Sequence, residues 1–183
     1  MYKVGHYNGV EWAEISNPPI YTYTHFSEDL SRIECTVPQG GAAIVEQLIQ
    51  YMASPYFLLY VLHSPQGEAQ PGRYQSPQLD FDEIHRFMTR FDSFLATDAR
   101  FDLWIHSPAQ NATLVWDRHN ILYLYGPLDG IEAKLKQCGY TEGELEIPSP
   151  HAHNYWPEWK QDAKEILNWF EWYHTPLHPD DEQ

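Results

Sequence analysis

Apolar and polar positions alternate with period two over Arg32–Val37, and Tyr21–Phe26 has the β-rich composition of a strand. Ile44, Val45, Leu48, Ile49 and Met52 recur at helical spacing, so a helix opening at Gln39-Gly-Gly41 and stopped by Pro55 is predicted. Tyr56–Leu62 is apolar at every position, as a central strand buried on both faces would be. Residues 64–78, rich in Pro, Gln and Gly, read as a mobile loop. Asp80 and Glu83 have capping-box spacing. The stripe Phe81, Ile84, Phe87, Met88, Phe91, Phe94 and Leu95 that follows is the clearest amphipathic helix in the chain.

Three short strands come next, Phe101–Ile105, Thr113–Trp116 and Ile121–Tyr125, joined by Ser-Pro-Ala-Gln-Asn and Asp117-Arg-His-Asn120 turns. They predict an antiparallel meander. Pro127 opens a helix carrying Leu128, Ile131 and Leu135, with Gly139 as its left-handed cap. Glu142–Ile147 reads as a short acidic edge strand, and the last helix is predicted from Pro157 to Trp172. The expected fold is therefore a single α+β domain over residues 1–175: a mostly antiparallel sheet of about five to seven strands covered by about four helices. Residues 176–183 are expected to be an acidic, frayed tail.

Charge narrows the partners. The chain has 183 residues and a formal net charge of -15, spread along its length and steepest in the last third. Nucleic acid and anionic membrane surfaces both want a positive patch, so neither is an expected partner. A basic protein would be attracted. The first residues show no secretory pattern, and the longest apolar run, Tyr56–Leu62, is far too short to cross a bilayer. A cytoplasmic protein is expected.

Aromatic residues make up 15% of the chain. Trp156, Trp159, Trp169 and Trp172, rimmed by Glu158, Asp162 and Glu165, are the candidate binding residues. They fit a non-enzymatic acidic protein-binding module, such as an immunity or inhibitor protein neutralising a basic toxin, with no cofactor. The wide apolar face of the last helix also suits a structural homodimer.

Histidine supports the enzymatic alternative. His151-Ala-His153 in an extended segment puts both imidazoles on one face, and His63 or His106, each ending a strand before Ser-Pro, would supply a third ligand. The result would be a small metal-assisted hydrolase using zinc. Adjacent His-Ser pairs point to opposite faces of a strand and make no nucleophile-base pair. Cys35 and Cys138 read as core residues, and the common nucleotide, protease and EF-hand motifs are absent.

Overall fold

In the computed structural model, residues 1–15, 18–27, 30–38 and 41–181 are described. Gln39 and Gly40 of the expected helix opening, and the last two residues of the expected tail, lie outside them. The chain runs β1 (Val4–Tyr7), β2 (Trp12–Glu14), β3 (Ile20–His25), β4 (Ser31–Thr36), α1 (Ala43–Tyr51), β5 (Phe57–Leu62), β6 (Gly72–Gln75) and α2 (Phe81–Thr97). It continues through β7 (Phe101–Ser107), β8 (Ala112–Trp116), β9 (Ile121–Tyr125), α3 (Leu128–Gln137), β10 (Thr141–Glu142), β11 (His151–His153), α4 (Lys160–Ile166) and β12 (Tyr173–Thr175). Single 3₁₀ turns cover Pro157–Trp159 and Pro179–Asp181.

Nine strands form one sheet in the order β10-β3-β4-β9-β8-β7-β5-β6-β12, and three form a second sheet, β11-β1-β2. All pairings are antiparallel except β10 with β3. This is the expected α+β class with more strands than expected. The extra ones, β1, β2, β6, β11 and β12, are three or four residues long.

Strand alternation divides the large sheet into two unlike faces. Leu58, Tyr60, Leu62, Leu103, Ile105, Leu114, Trp116, Leu122, Leu124, Ile33 and Cys35 point one way and are buried with the apolar faces of all four helices. Phe57, Leu59, Trp104, His106, Thr113, Tyr123 and Tyr125 point the other way and are only half-buried. Helix α2 is held at its start by the expected capping box, in which Glu83 N donates to Asp80 Oδ1 and Asp80 N donates to Glu83 Oε2, both at 2.8 Å. No helix among the described residues is long and apolar enough to cross a membrane.

The loop and the tail depart from expectation. Residues 72–75 are strand β6 rather than loop, and Glu68 sits in a buried network. Arg100 donates from Nε and Nη2 to Asp98 at 2.7 and 2.8 Å, and from Nη1 to Glu68 at 2.9 Å, with all three side chains no more than 2% exposed. The last helix stops at Ile166. Trp172 lies beyond it, and Tyr173–Thr175, between the expected end of that helix and the expected tail, extends the sheet beside β6. Asp181 is buried, 3.5 Å from Arg73, and accepts from His178 N. The acidic strand expected over Glu142–Ile147 is confined to Thr141–Glu142.

Candidate metal centre

The small sheet exists to position β11. Strand β1 pairs His6 with His151 and Val4 with His153. Asn154 N donates to Lys3 O at 2.8 Å and Ala99 N donates to Asn154 O at 3.0 Å, which ties the end of β11 to the residue before β1 and to the link between α2 and β7. Period two then sets His151 and His153 on one face, as the spacing predicts.

The third imidazole is His119, from the β8–β9 turn. His119, His151 and His153 each offer a ligand nitrogen, and these lie within 4.8 Å of one another. His63 and His106 are not members of this group; the expectation that one of them would complete it is corrected. His63 Nε2 lies 2.8 Å from Asp102 Oδ2, and His106 Nδ1 lies 2.9 Å from Thr113 Oγ1 on the open sheet face. They end strands as expected, but the β8–β9 turn approaches β11 more closely than either.

Local chemistry makes that turn. Asp117 Oδ1 accepts from His119 N at 2.9 Å and from Ile121 N at 2.8 Å. Asn120 adopts φ 63°, a left-handed conformation that asparagine tolerates. The other oxygen, Asp117 Oδ2, stands 2.8 Å from His119 Nδ1. A carboxylate on Nδ1 fixes that tautomer and leaves Nε2 to ligate, the arrangement that orients histidines around metals. His151 is set the same way, with Nδ1 donating to Pro148 O at 3.1 Å. His153 Nε2 is buried with no partner among the described residues. Burial, assisted by His119, Arg118 and His151 and opposed by Asp102, lowers the His153 pKa to about 4. That ring is therefore neutral and able to ligate at pH 7.

Zinc–nitrogen bonds of about 2.0–2.1 Å put tetrahedral ligands roughly 3.4 Å apart, within reach of small side-chain rotations from this cluster. Replacing Asp117 by Asn should weaken zinc binding about 10–100-fold by releasing the His119 ring. Competition against a chromophoric chelator reads this directly, and an unchanged affinity would reject the orienting role.

Beside the triad a cleft of about 170 Å³ opens on the sheet face away from the helices, lined by Arg32, Asp102, Trp104, Asp117, His119 and Tyr123 and flanked by Asp180 and Asp181 of the C-terminal segment. The Arg32 guanidinium lies 4.5 Å over the Tyr123 ring and donates to Tyr125 Oη at 3.0 Å. Tyr123 donates to Asp117 Oδ2 at 3.4 Å, and burial followed by the Asp117 and Glu34 charges holds its phenol well above the usual range. Asp102 lies at the same end of the sheet and accepts from Arg118 N at 2.9 Å. Burial would raise its carboxyl, but the His63 hydrogen bond and the His63 and Arg118 charges outweigh that and hold it below the ordinary value.

Lys3 is fully buried under the turn. Its Nζ donates to Asp117 O at 3.2 Å and lies 4.3 Å from the Trp116 ring centre. Burial lowers its pKa to about 8 against the attraction of Asp117, Asp102 and Asp98. The unfolded chain keeps this proton to about pH 10.4, whereas the folded chain releases it near 8, so folding becomes more favourable as pH rises between those values. The gain is about 2–3 kcal/mol. It is clearest below pH 10, above which the raised phenols of Tyr60, Tyr123 and Tyr140 act in the opposite sense. Urea unfolding at pH 7.5 and 9.5 should show this rise, and Lys3→Met should remove it; parallel pH dependences in the two proteins would exclude the effect.

The four tryptophans expected as binding residues are half-buried. Trp156 Nε1 donates to Tyr2 O and Thr97 O, Trp159 Nε1 to Thr97 Oγ1, and Trp172 Nε1 to Ile166 O. The Trp169 ring packs edge-on to Phe91 at 5.2 Å. Asp162 and Glu165 both accept from Arg90, joining α4 to α2, while Glu158 is exposed. Cys35 is buried and its thiol is pushed far up by that burial; Cys138 Sγ contacts Gln47 Oε1 at 2.9 Å. Both cysteines are free.

No protein-family model, curated protein or solved structure matches this chain.

Proposed function

We propose that this chain is a small metal-dependent hydrolase whose zinc is held by His119, His151 and His153. One observation carries the reading: a ligand nitrogen from each of three imidazoles lies within 4.8 Å of the others, and two of the rings have Nδ1 beside an acceptor, which leaves Nε2 free to ligate. Three protein nitrogens would leave a fourth zinc position open, where the ion would supply a hydroxide nucleophile near neutral pH and polarise an ester carbonyl. Cleavage would give a carboxylate and an alcohol, the alcohol taking the hydroxide's proton, with solvent replacing the water consumed.

The protein-binding reading rests on the acidic composition alone, because the indoles that would anchor a basic partner are engaged within the chain. The enzymatic reading therefore has the stronger support. Its test is elemental analysis of the zinc-dialysed protein together with hydrolysis of p-nitrophenyl acetate. One zinc per chain, with turnover lost to EDTA and restored by zinc, is the expected result. Substoichiometric zinc, or turnover indifferent to EDTA, would overturn it.

A further inference from the structure

The face of the nine-stranded sheet away from the helices, which the C-terminal segment covers only in part, holds two adjoining hollows that share Trp104. Register across the sheet puts Leu59, Trp104, Val115 and Tyr123 in one row. Two residues back along β7 is Asp102, where the cleft meets His119. Two residues forward is His106, in a row with Phe57 and Thr113. There the second hollow, a groove of about 410 Å³, is lined by Phe57, Leu59, Trp104, His106 and Thr113. From Asp102 to His106 is about 13 Å along the strand, and an extended acyl chain of about eight carbons, roughly 9 Å long, reaches from the cleft past Trp104 into the groove.

The two hollows differ in chemistry. The cleft brings together charged side chains and His119, with Asp180 and Asp181 of the C-terminal segment on its rim, while the groove is floored mainly by the half-buried Phe57, Leu59 and Trp104 and has no residue of that segment in its lining. The indole N–H of Trp104, at the junction, has no acceptor among the described residues. A solvent-facing apolar strip continuous with a polar reaction site marks a ligand that has both characters.

The geometry points to an amphiphilic substrate: an ester whose carbonyl end enters the cleft beside His119 and whose straight acyl chain crosses Trp104 into the Phe57–Leu59 groove. The polar half rests on the hydrolytic reading. The apolar half does not require metal, so the two are separable.

Metal-free protein titrated with acetamide, butyramide and octanamide tests the groove, read on the Trp104 indole N–H resonance and assigned by its loss in Trp104→Phe. Octanamide should bind at least about tenfold tighter than butyramide and should shift that resonance. Leu59→Gln and Phe57→Gln, both on the half-buried open face, should bring the two amides to within about threefold of each other. Equal affinities in the parent protein, or shifts confined to other indoles, would overturn the proposal. The zinc-loaded protein is assayed in parallel on p-nitrophenyl acetate and octanoate, with octanoate preferred. Chain-length-dependent binding without zinc-dependent turnover keeps the groove and removes the hydrolase; turnover indifferent to chain length does the reverse.

Discussion

His119→Ala loses zinc while keeping its fold. His119 is a half-buried turn residue whose removal exposes no core, and the ligand set drops from three to two. Zinc binding of about 10–16 kcal/mol distributed over three or four ligands makes each worth about 3–4 kcal/mol, several hundredfold in affinity. His151→Ala and His153→Ala should lose comparable amounts. His106→Ala is the control, because its ring is bonded to Thr113 on the open face and stands outside the cluster. Chelator competition on the four variants measures the effect, with circular dichroism to verify folding. Zinc affinity that survives His119→Ala but falls in His106→Ala would move the centre elsewhere.

Arg100→Ala should be the most destabilising substitution in the chain. It leaves the carboxylates of Asp98 and Glu68 buried without their guanidinium, and breaking a buried pair from one side costs about 3–5 kcal/mol. For a domain of this size that is a fall in Tm of roughly 6–20 °C. The triple variant Arg100→Met, Asp98→Asn, Glu68→Gln removes the charges together and should recover much of the loss. Thermal unfolding of both proteins is the measurement, and equal stability of Arg100→Ala and the parent would mean the network is not structural. Asp98 also accepts from Trp156 N at 3.0 Å, so loosening the network should disturb the segment just after β11 and weaken zinc binding indirectly.

Much of the large sheet is legible in the sequence. The meander, the capping box on α2 and the all-apolar β5 each announce themselves through neighbours a few residues apart. His151-Ala-His153 is legible for the same reason, since period two needs only three residues. His119 was harder. Its signal is Asp117-x-His119, a carboxylate two residues before an imidazole inside a turn, which sequence reasoning used only to join two strands. The convergence of that turn with β11 depends on β1, where Val4 pairs with His153, and no local period encodes so distant a contact. The end of α4 was missed because Trp169, Phe170 and Trp172 continue an apolar pattern past Ile166, although they pack as a loop against α2. The tryptophans expected as binding residues are half-buried, and composition could not show that the indole N–H groups of Trp156 and Trp172 are bonded to nearby backbone carbonyls.

The three-stranded sheet joins the chain's fourth residue to its hundred-and-fifty-third. During synthesis β1 and β2 emerge early and have nothing to hold until β11 follows, long after the meander and α2 can have collapsed. Pairings this remote close slowly. A nascent chain released before β11 would already own most of a hydrophobic core yet present His119 to a metal alone. On the proposed reading, zinc loading would follow the closing of β11 on β1, and retention of the ion would report that this late pairing has formed.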